Sequence, residues 1–281
     1  MAGRIRNWIG GLFGRGGAVI PVVRLQGVIA SEVRPGRLNI AGVAPLLKRA
    51  FDIKAAPVVA IVVNSPGGSP VQSRLISKRI RDLADENGKK VIVFVEDAAA
   101  SGGYFIAVGG DEIIADPSSI VGSIGVISAG FGFVEAIEKL GVTRRVHTAG
   151  KSKSTLDPFL PEKAEDVERL KSFAADIHQV FIDHVKTRRL GKLTAPDDEL
   201  FTGQWWSALR GLELGLIDGL GDLHETLRSR YGADVRLKLI EPKRPLFALP
   251  RFGLSAAGAG TLSGEVIASI EDRALWSRLG L

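Results

Sequence analysis

Two short runs constrain this chain more than any other feature: residues 57–63 (PVVAIVV) and 90–96 (KVIVFVE) are apolar almost without interruption. Each is short and rich in β-branched residues, and neither alternates with polar positions. Such runs read as strands covered on both faces, the mark of a parallel sheet. Between them, residues 71–85 place Leu75, Ile76, Arg79, Ile80 and Leu83 on one helical face. That helix is the crossover two parallel neighbours need. Residues 18–29 (AVIPVVRLQGVI) and 111–116 (DEIIAD) read as further strands, and residues 41–53 as another helix. The longest helix is expected over 161–189, with Val167, Leu170, Phe173, Ile177, Val180, Phe181 and His184 at helical spacing. The alternation predicts a layered α/β domain over 18–240.

The flanks differ from this domain. Residues 1–17 carry Arg4, Arg6 and Arg15, with Ile5, Trp8, Ile9, Leu12 and Phe13 on one stripe. A basic amphipathic segment of this kind suits peripheral contact with a membrane, while Gly10, Gly11 and Gly14 break it as a secretory signal. Residues 241–281 turn Pro-rich and then rich in Gly, Ala and Ser, which reads as a linker. They end in a short amphipathic helix through Val266, Ile270 and Ala274, expected to pack on the domain or on a partner. No apolar run reaches the ~18 residues of a membrane-spanning helix. The absence of cysteine excludes disulfides, thiolate metal sites and cysteine nucleophiles. A net charge of +6 comes without any arginine-rich run interleaved with aromatics, so no nucleic-acid partner is expected.

The chemistry gathers where the strands end. The run 57–63 opens into NSPGGSP, placing Gly67 and Gly68 where backbone N–H groups can face a cavity unobstructed. The run 90–96 leads through DAAA, read as a loop, to Ser101 and the helical stretch SGGYFIAVG. Ser101 at a helix N-terminus is either an N-cap or a nucleophile in a field that favours an oxyanion. A nucleophile needs a base. Of the four histidines, His147 sits at the end of an expected short strand, His178 and His184 lie on the long helix, and His224 has acidic neighbours; each reads as structural. A lysine is the alternative, provided its pKa falls from ~10.4 to about 7 or 8.

The ordered stretches NSPGGSP, AAASGGYF, DPSSIVGSIGVI and AGKSKSTLDPF, followed by FTGQWWSALRGLELGLIDGLGD, resemble the signal peptide peptidase A family, including its shorter SohB-like members. The resemblance implies a Clp protease/crotonase-like fold of stacked strand-strand-helix units and a Ser-Lys serine peptidase. Ser101 matches the nucleophile, Lys153 rather than Lys151 the general base, and Ser123 the serine that orients the lysine. Gly68 and the N–H of Gly102 match the oxyanion hole. The resemblance implies that Clp-type relatives carry a histidine about 25 residues after the serine, where this chain has VGSIGVISAG. The missing histidine favours the lysine.

The resemblance further implies peptide substrates such as signal-peptide remnants, no metal or cofactor, and a homo-oligomer in which Ser101 and Lys153 can meet across an interface. Pro66 and Tyr104 are expected to shape the loop and pack beneath the nucleophile, and Trp205 and Trp206 to fill the core. A cytoplasmic location, peripheral on the inner face of the membrane, fits the basic N-terminal segment. A stomatin-partner type of membrane protease, a crotonase acting on an acyl-CoA thioester and an inactive peptide-binding scaffold are the alternative readings.

Overall fold

Consecutive β-branched residues form strands here because helices cover both faces of the sheet they build. The computed structural model describes residues 17–34, 36–150, 152–242, 269–270 and 272–281. The basic stripe of residues 1–15 and the proposed linker beyond residue 242 lie outside them, as does Val266. The first strands are β1 (Val19–Gln26), β2 (Val28–Ile29) and β3 (Arg37–Leu38), followed by helix α1 (Ile40–Phe51). Then come β4 (Val58–Ser65), α2 (Pro70–Asn87), β5 (Lys90–Ala100), α3 (Gly102–Ala107), β6 (Glu112–Ala115) and β7 (Ile120–Gly122). The remainder contains α4 (Val134–Lys139), α5 (Ala164–Arg188), α6 (Asp197–Leu200), β8 (Trp205–Ser207) and α7 (Ala208–Glu213). It closes with β9 (Gly219–Leu220), α8 (Leu223–Tyr231) and β10 (Arg236–Leu239).

The main sheet runs in the order β10-β1-β4-β5-β6-β9, and every pair along it is parallel. Alternate residues of β4 serve two cores. Val59, Ile61 and Val63 join the side chains of α1, α2 and α3, whereas Val58, Ala60 and Val62 join Ile20, Phe94 and Leu227 of α8. Ile61 is fully buried, and its truncation to alanine is expected to cost about 2–5 kcal/mol. Helix α2 has local start and stop signals: the Ser69 side chain caps Gln72 N–H, Pro70 opens the first turn, and Gly88 ends the helix at φ 60°.

The expected strand over 18–29 divides at Gly27, whose φ is 110°. A Cβ there would stand 2.0 Å from the Gly36 carbonyl oxygen, because β2 leaves the sheet to pair with β3. A larger correction concerns DAAA, which is strand rather than loop. Strand β5 advances from Val95 to Ala99 while β4 advances only from Val63 to Ser65, so two extra residues bulge out. The Asn64 side chain fills the gap, donating to Asp97 at 2.6 Å and accepting from the Ala98 N–H at 3.3 Å. Beyond the bulge, Ala98–Ala100 pair with β7, and β8 then adds antiparallel to β7. The sheet thereby splits, and the tip of β5 ends at Ser101.

The long helix begins at Ala164, three residues beyond Pro161, and its apolar stripe is only partly covered. Phe181 and Val185 are buried, but Phe173 is 63% exposed. No strand forms at His147; residues 142–148 have no regular structure. No described residue between 125 and 165 is buried. Trp206 enters the core, whereas Trp205 is 44% exposed, so the expected core role holds for one tryptophan of the pair.

Candidate active site

Ser101 stands between the tip of β5 and the start of α3, in a conformation that non-glycine residues avoid: φ 50°, ψ −119°. Its surroundings fix it there. The Ser101 N–H donates to the Gly122 carbonyl at 2.8 Å, and its own carbonyl accepts from the Phe105 N–H at 2.9 Å. It occupies the N-cap position, yet its hydroxyl caps nothing. The hydroxyl therefore remains available for chemistry.

Two glycines from the β4–α2 loop press against this turn. A Cβ on Gly67 would lie 2.8 Å from the Ser101 Cβ and 2.9 Å from the Gly102 nitrogen. Gly68, at φ 136°, bridges to Ile29 so closely that a Cβ would meet the Ile29 carbonyl oxygen at 2.0 Å. Gly102 is confined from the other side by Ser73, whose Oγ would be 2.4 Å from an added Cβ, and the Gly68 nitrogen would be 3.4 Å from it. The backbone N–H groups of Gly68 and Gly102 thus lie near each other beside the serine. Neither enters a loop or cap hydrogen bond among the described residues. Paired free donors of this kind can hold an oxyanion, each contributing roughly 3 to 4 kcal/mol in a transition state.

Ser101 opens into two spaces. One is a largely apolar cavity of about 330 Å³ between α2, α3 and α5, lined by Val71, Phe105, Val126, Ile177, Val180 and Phe181, with Gly68 and Gly102 at its edge. The other is a broader cleft of about 780 Å³ that Ser101 shares with Ser123, Pro66 and His178. Ser123 also has a positive φ, 53°, and its N–H donates to the Gln204 carbonyl at 2.8 Å. The His178 Nε2 lies 2.9 Å from the Ile124 carbonyl oxygen. A carbonyl can only accept, so Nε2 carries the proton and is not a free base.

Beneath the apolar cavity, His184 stacks on Phe105 with ring centroids 4.2 Å apart. Its Nε2 approaches the Phe105 carbonyl at 3.2 Å and the Ser77 hydroxyl at 3.1 Å. Burial pushes its pKa down to about 4, against a smaller upward pull from the Phe105 carbonyl. Tyr104 is fully buried and donates to the Leu216 carbonyl at 2.7 Å. It belongs to α3, the helix that follows Ser101, and burial raises its pKa.

Lys153 is placed differently. It lies in an exposed turn, held by its own N–H donating to the Gly150 carbonyl at 3.3 Å. It is absent from the residues lining either space that Ser101 opens into. The single chain thus gathers Ser101, Ser123, Gly68 and Gly102 and leaves Lys153 apart.

The family model for peptidase family S49 matches residues 84–235, spanning the β5–α3 turn, β7 and the Lys153 turn. The chain belongs to peptidase family S49. Among similar proteins, the S49 chain is 30% identical over 274 residues to the serine protease SPPA of Arabidopsis thaliana chloroplasts, covering 92% of this chain and 39% of that protein. It is 34% identical over 222 residues to Protease 4 of Haemophilus influenzae, covering 74% and 34%. A Brucella abortus protein named Na(+)/H(+) antiporter NhaA is 56% identical over 273 residues, covering 93% of this chain and 37% of that protein. The chain therefore spans little more than a third of the length of these relatives. No helix among the described residues is long and apolar enough to cross a membrane.

Among solved structures, a membrane-bound stomatin-specific protease superposes with TM-score 0.51 at 18% identity, covering 81% of this chain and 99% of that one. The fold is the Clp protease/crotonase-like one. Within this S49 fold the apolar cavity and the His184–Phe105 stack are the features that sequence reading missed. The signal was present: Ile177, Phe181 and His184 were on the stripe of α5, but nothing local tied that stripe to Phe105 or to Val71.

Proposed function

We propose that this S49 chain is a serine endopeptidase working with a Ser101–Lys153 dyad, in which the lysine is contributed by a second copy of the chain. The observation that carries the reading is Ser101 itself: a serine held at φ 50° with an uncapping hydroxyl, beside two free backbone N–H groups. Strain of this kind persists only where neighbouring structure imposes it, and it gathers at reactive sites.

In the reaction, neutral Lys153 takes the proton from the Ser101 hydroxyl as Oγ attacks the scissile carbonyl carbon. The carbonyl oxygen becomes an oxyanion on the N–H groups of Gly68 and Gly102. Collapse of the tetrahedral intermediate breaks the C–N bond, and the lysine returns its proton to the leaving amine. Water then attacks the acyl-enzyme by the same route and frees Ser101. Ser123, in the shared cleft, orients the lysine. A lysine accepts a proton near neutral pH only when its ammonium form is desolvated. Lys153 is exposed in the single chain, and a neighbouring copy would supply that cover.

The apolar cavity beside Ser101 fits an apolar side chain before the cut. Unfolded or membrane-released peptides, such as remnant signal peptides, are rich in these. The basic stripe of residues 1–15 would hold the enzyme against an anionic membrane surface.

The test uses a fluorogenic peptide with an apolar residue before the cut. Ser101→Ala and Lys153→Ala should each lower kcat/KM by at least ~10³-fold. Mixing the two inactive proteins under conditions that allow subunit exchange should restore part of the activity. Turnover unchanged in either variant would end the dyad, and two dead variants with no rescue would count against a shared site.

A further inference from the structure

The cleft that Ser101 shares with Ser123 has one wall made from the far end of the chain. Leu275, Arg278 and Leu279 line it together with Pro66, Gly68 and Ser69. Residues 272–277 are helical, and they are seated on the domain. Leu279 is 8% exposed and packs on Ala98 and Ala100 of β5, with Ile120 and Trp276 alongside. Asp272 accepts from Arg37 at 2.9 Å, and the Leu279 N–H donates to the Trp276 carbonyl at 2.9 Å. The strand that delivers the nucleophile is therefore also the floor on which this segment rests.

That wall brings a charge to the cleft. No aspartate or glutamate is among the described residues lining it, and Arg278 is its one permanently charged side chain. Among the described residues, the Arg278 side chain enters no hydrogen bond or ion pair. A guanidinium forks naturally onto a carboxylate, and a concave surface partly walled by Leu275 and Leu279 weakens the screening that open solvent would impose.

We propose that Arg278 is a specificity-determining residue of this cleft, reading a carboxylate on the bound peptide. The proposal rests on the peptidase reading of Ser101. The carboxylate can belong to an Asp or Glu side chain near the cut or to the C-terminus of a short peptide.

Three otherwise identical peptides separate the sources: an internal Glu with an amidated end, an internal Gln with a free end, and an internal Gln with an amidated end. For the intact chain at low salt, one carboxylate peptide should exceed the uncharged peptide in kcat/KM by about fivefold. The ratio should fall toward one in Arg278→Gln, and Arg278→Glu should turn the preference toward an internal Lys. The preference should also shrink between about 50 and 500 mM salt. A ratio near one in the intact chain overturns the proposal, as does a ratio that Arg278→Gln leaves unchanged. Binding of the same peptides to Ser101→Ala protein, read by fluorescence anisotropy, keeps this test separate from turnover. If nothing is cleaved, the peptidase reading fails, while equal binding of all three peptides still overturns the role of Arg278.

Discussion

Ser101 and Lys153 stand in regions built by opposite means. The serine follows β5, a strand with partners on both sides, and glycines from the β4–α2 loop and from the end of β7 contact it. The lysine stands on the excursion between β7 and α5, where no described residue from 125 to 165 is buried. That arm is stitched mainly to itself. The Phe133 N–H donates to the Pro158 carbonyl at 2.7 Å, Phe133 packs on Phe159, and Arg144 pairs with Asp157 at 2.9 Å. The contrast teaches that one chain can hold a serine on every side by backbone contacts while leaving a lysine of the same sequence motif exposed.

The sharpest way to break this comparison is to place the same side chain in both regions. Gly68 and Gly141 both have positive φ, 136° and 67°, but only Gly68 faces backbone at contact distance. Gly68→Ala should lower turnover at least ~10²-fold and cost about 3 kcal/mol or more in stability, since neither the Ile29 carbonyl nor the turn can yield cheaply. Gly141→Ala meets open space and should cost about 1 kcal/mol, the strain of the left-handed backbone alone. Thermal denaturation and peptide turnover on the two variants check this. Equal losses would mean the serine turn is no more constrained than the arm.

The two regions were also unequally legible in the sequence. Strands β4 and β5 and helix α2 carry their own periodicity, so the sheet and the glycine loop at its end could be read directly. The tip of β5 could not. Three alanines have little strand preference, and their pairing with β7 depends on a bulge that Asn64 stabilises from the neighbouring strand. The strain at Ser101 is likewise a product of tertiary contacts, from Gly67 on one side and Gly122 on the other. The spacing on α5 marks an apolar stripe but not how much of it a neighbour covers: Phe181 and Val185 are buried, whereas Phe173 and Val180 remain exposed. Lys153 entered the site only through family resemblance; no local pattern distinguishes it from a solvated lysine.

Acid should sharpen the comparison. Burial holds the pKa of His184 down to about 4, so the unfolded chain, with a histidine near its ordinary 6.5, binds the proton first as pH falls. Stability from this group is complete above about 6.5 and is lost between there and about 4, amounting to about 3 kcal/mol. His184→Phe should flatten that part of the pH–stability curve. In the arm, Asp157 is held below the ordinary carboxylate range, first by the Phe159 N–H and then by Arg144. Its contribution is present above the ordinary carboxylate pKa and is lost as pH falls through the lowered value. Because the arm packs on itself, this loss should appear as faster hydrogen exchange around Phe159, with the domain's melting temperature unaffected by Asp157→Asn. A global drop on Asp157→Asn would show that the arm is part of the core after all.

The smallest expected effect on the isolated chain falls on Phe131, which is 80% exposed in the arm, where Ile127 is 70% exposed. Among the described residues both side chains stay largely uncovered, so Phe131→Ser should change monomer stability by no more than ~0.5 kcal/mol. If a second copy covers the arm and thereby brings Lys153 to Ser101, the same substitution removes apolar area from that interface. A phenylalanine side chain buried on association contributes roughly 1.5–3 kcal/mol, so self-association should weaken at least ~10-fold by sedimentation. Turnover should fall at low protein concentration and recover at high concentration, as it must when the base comes from a neighbour. A Phe131→Ser protein whose assembly and concentration dependence match the parent chain would leave the arm uncovered. In that case Lys153 would have to reach the serine by movement of the arm within one chain.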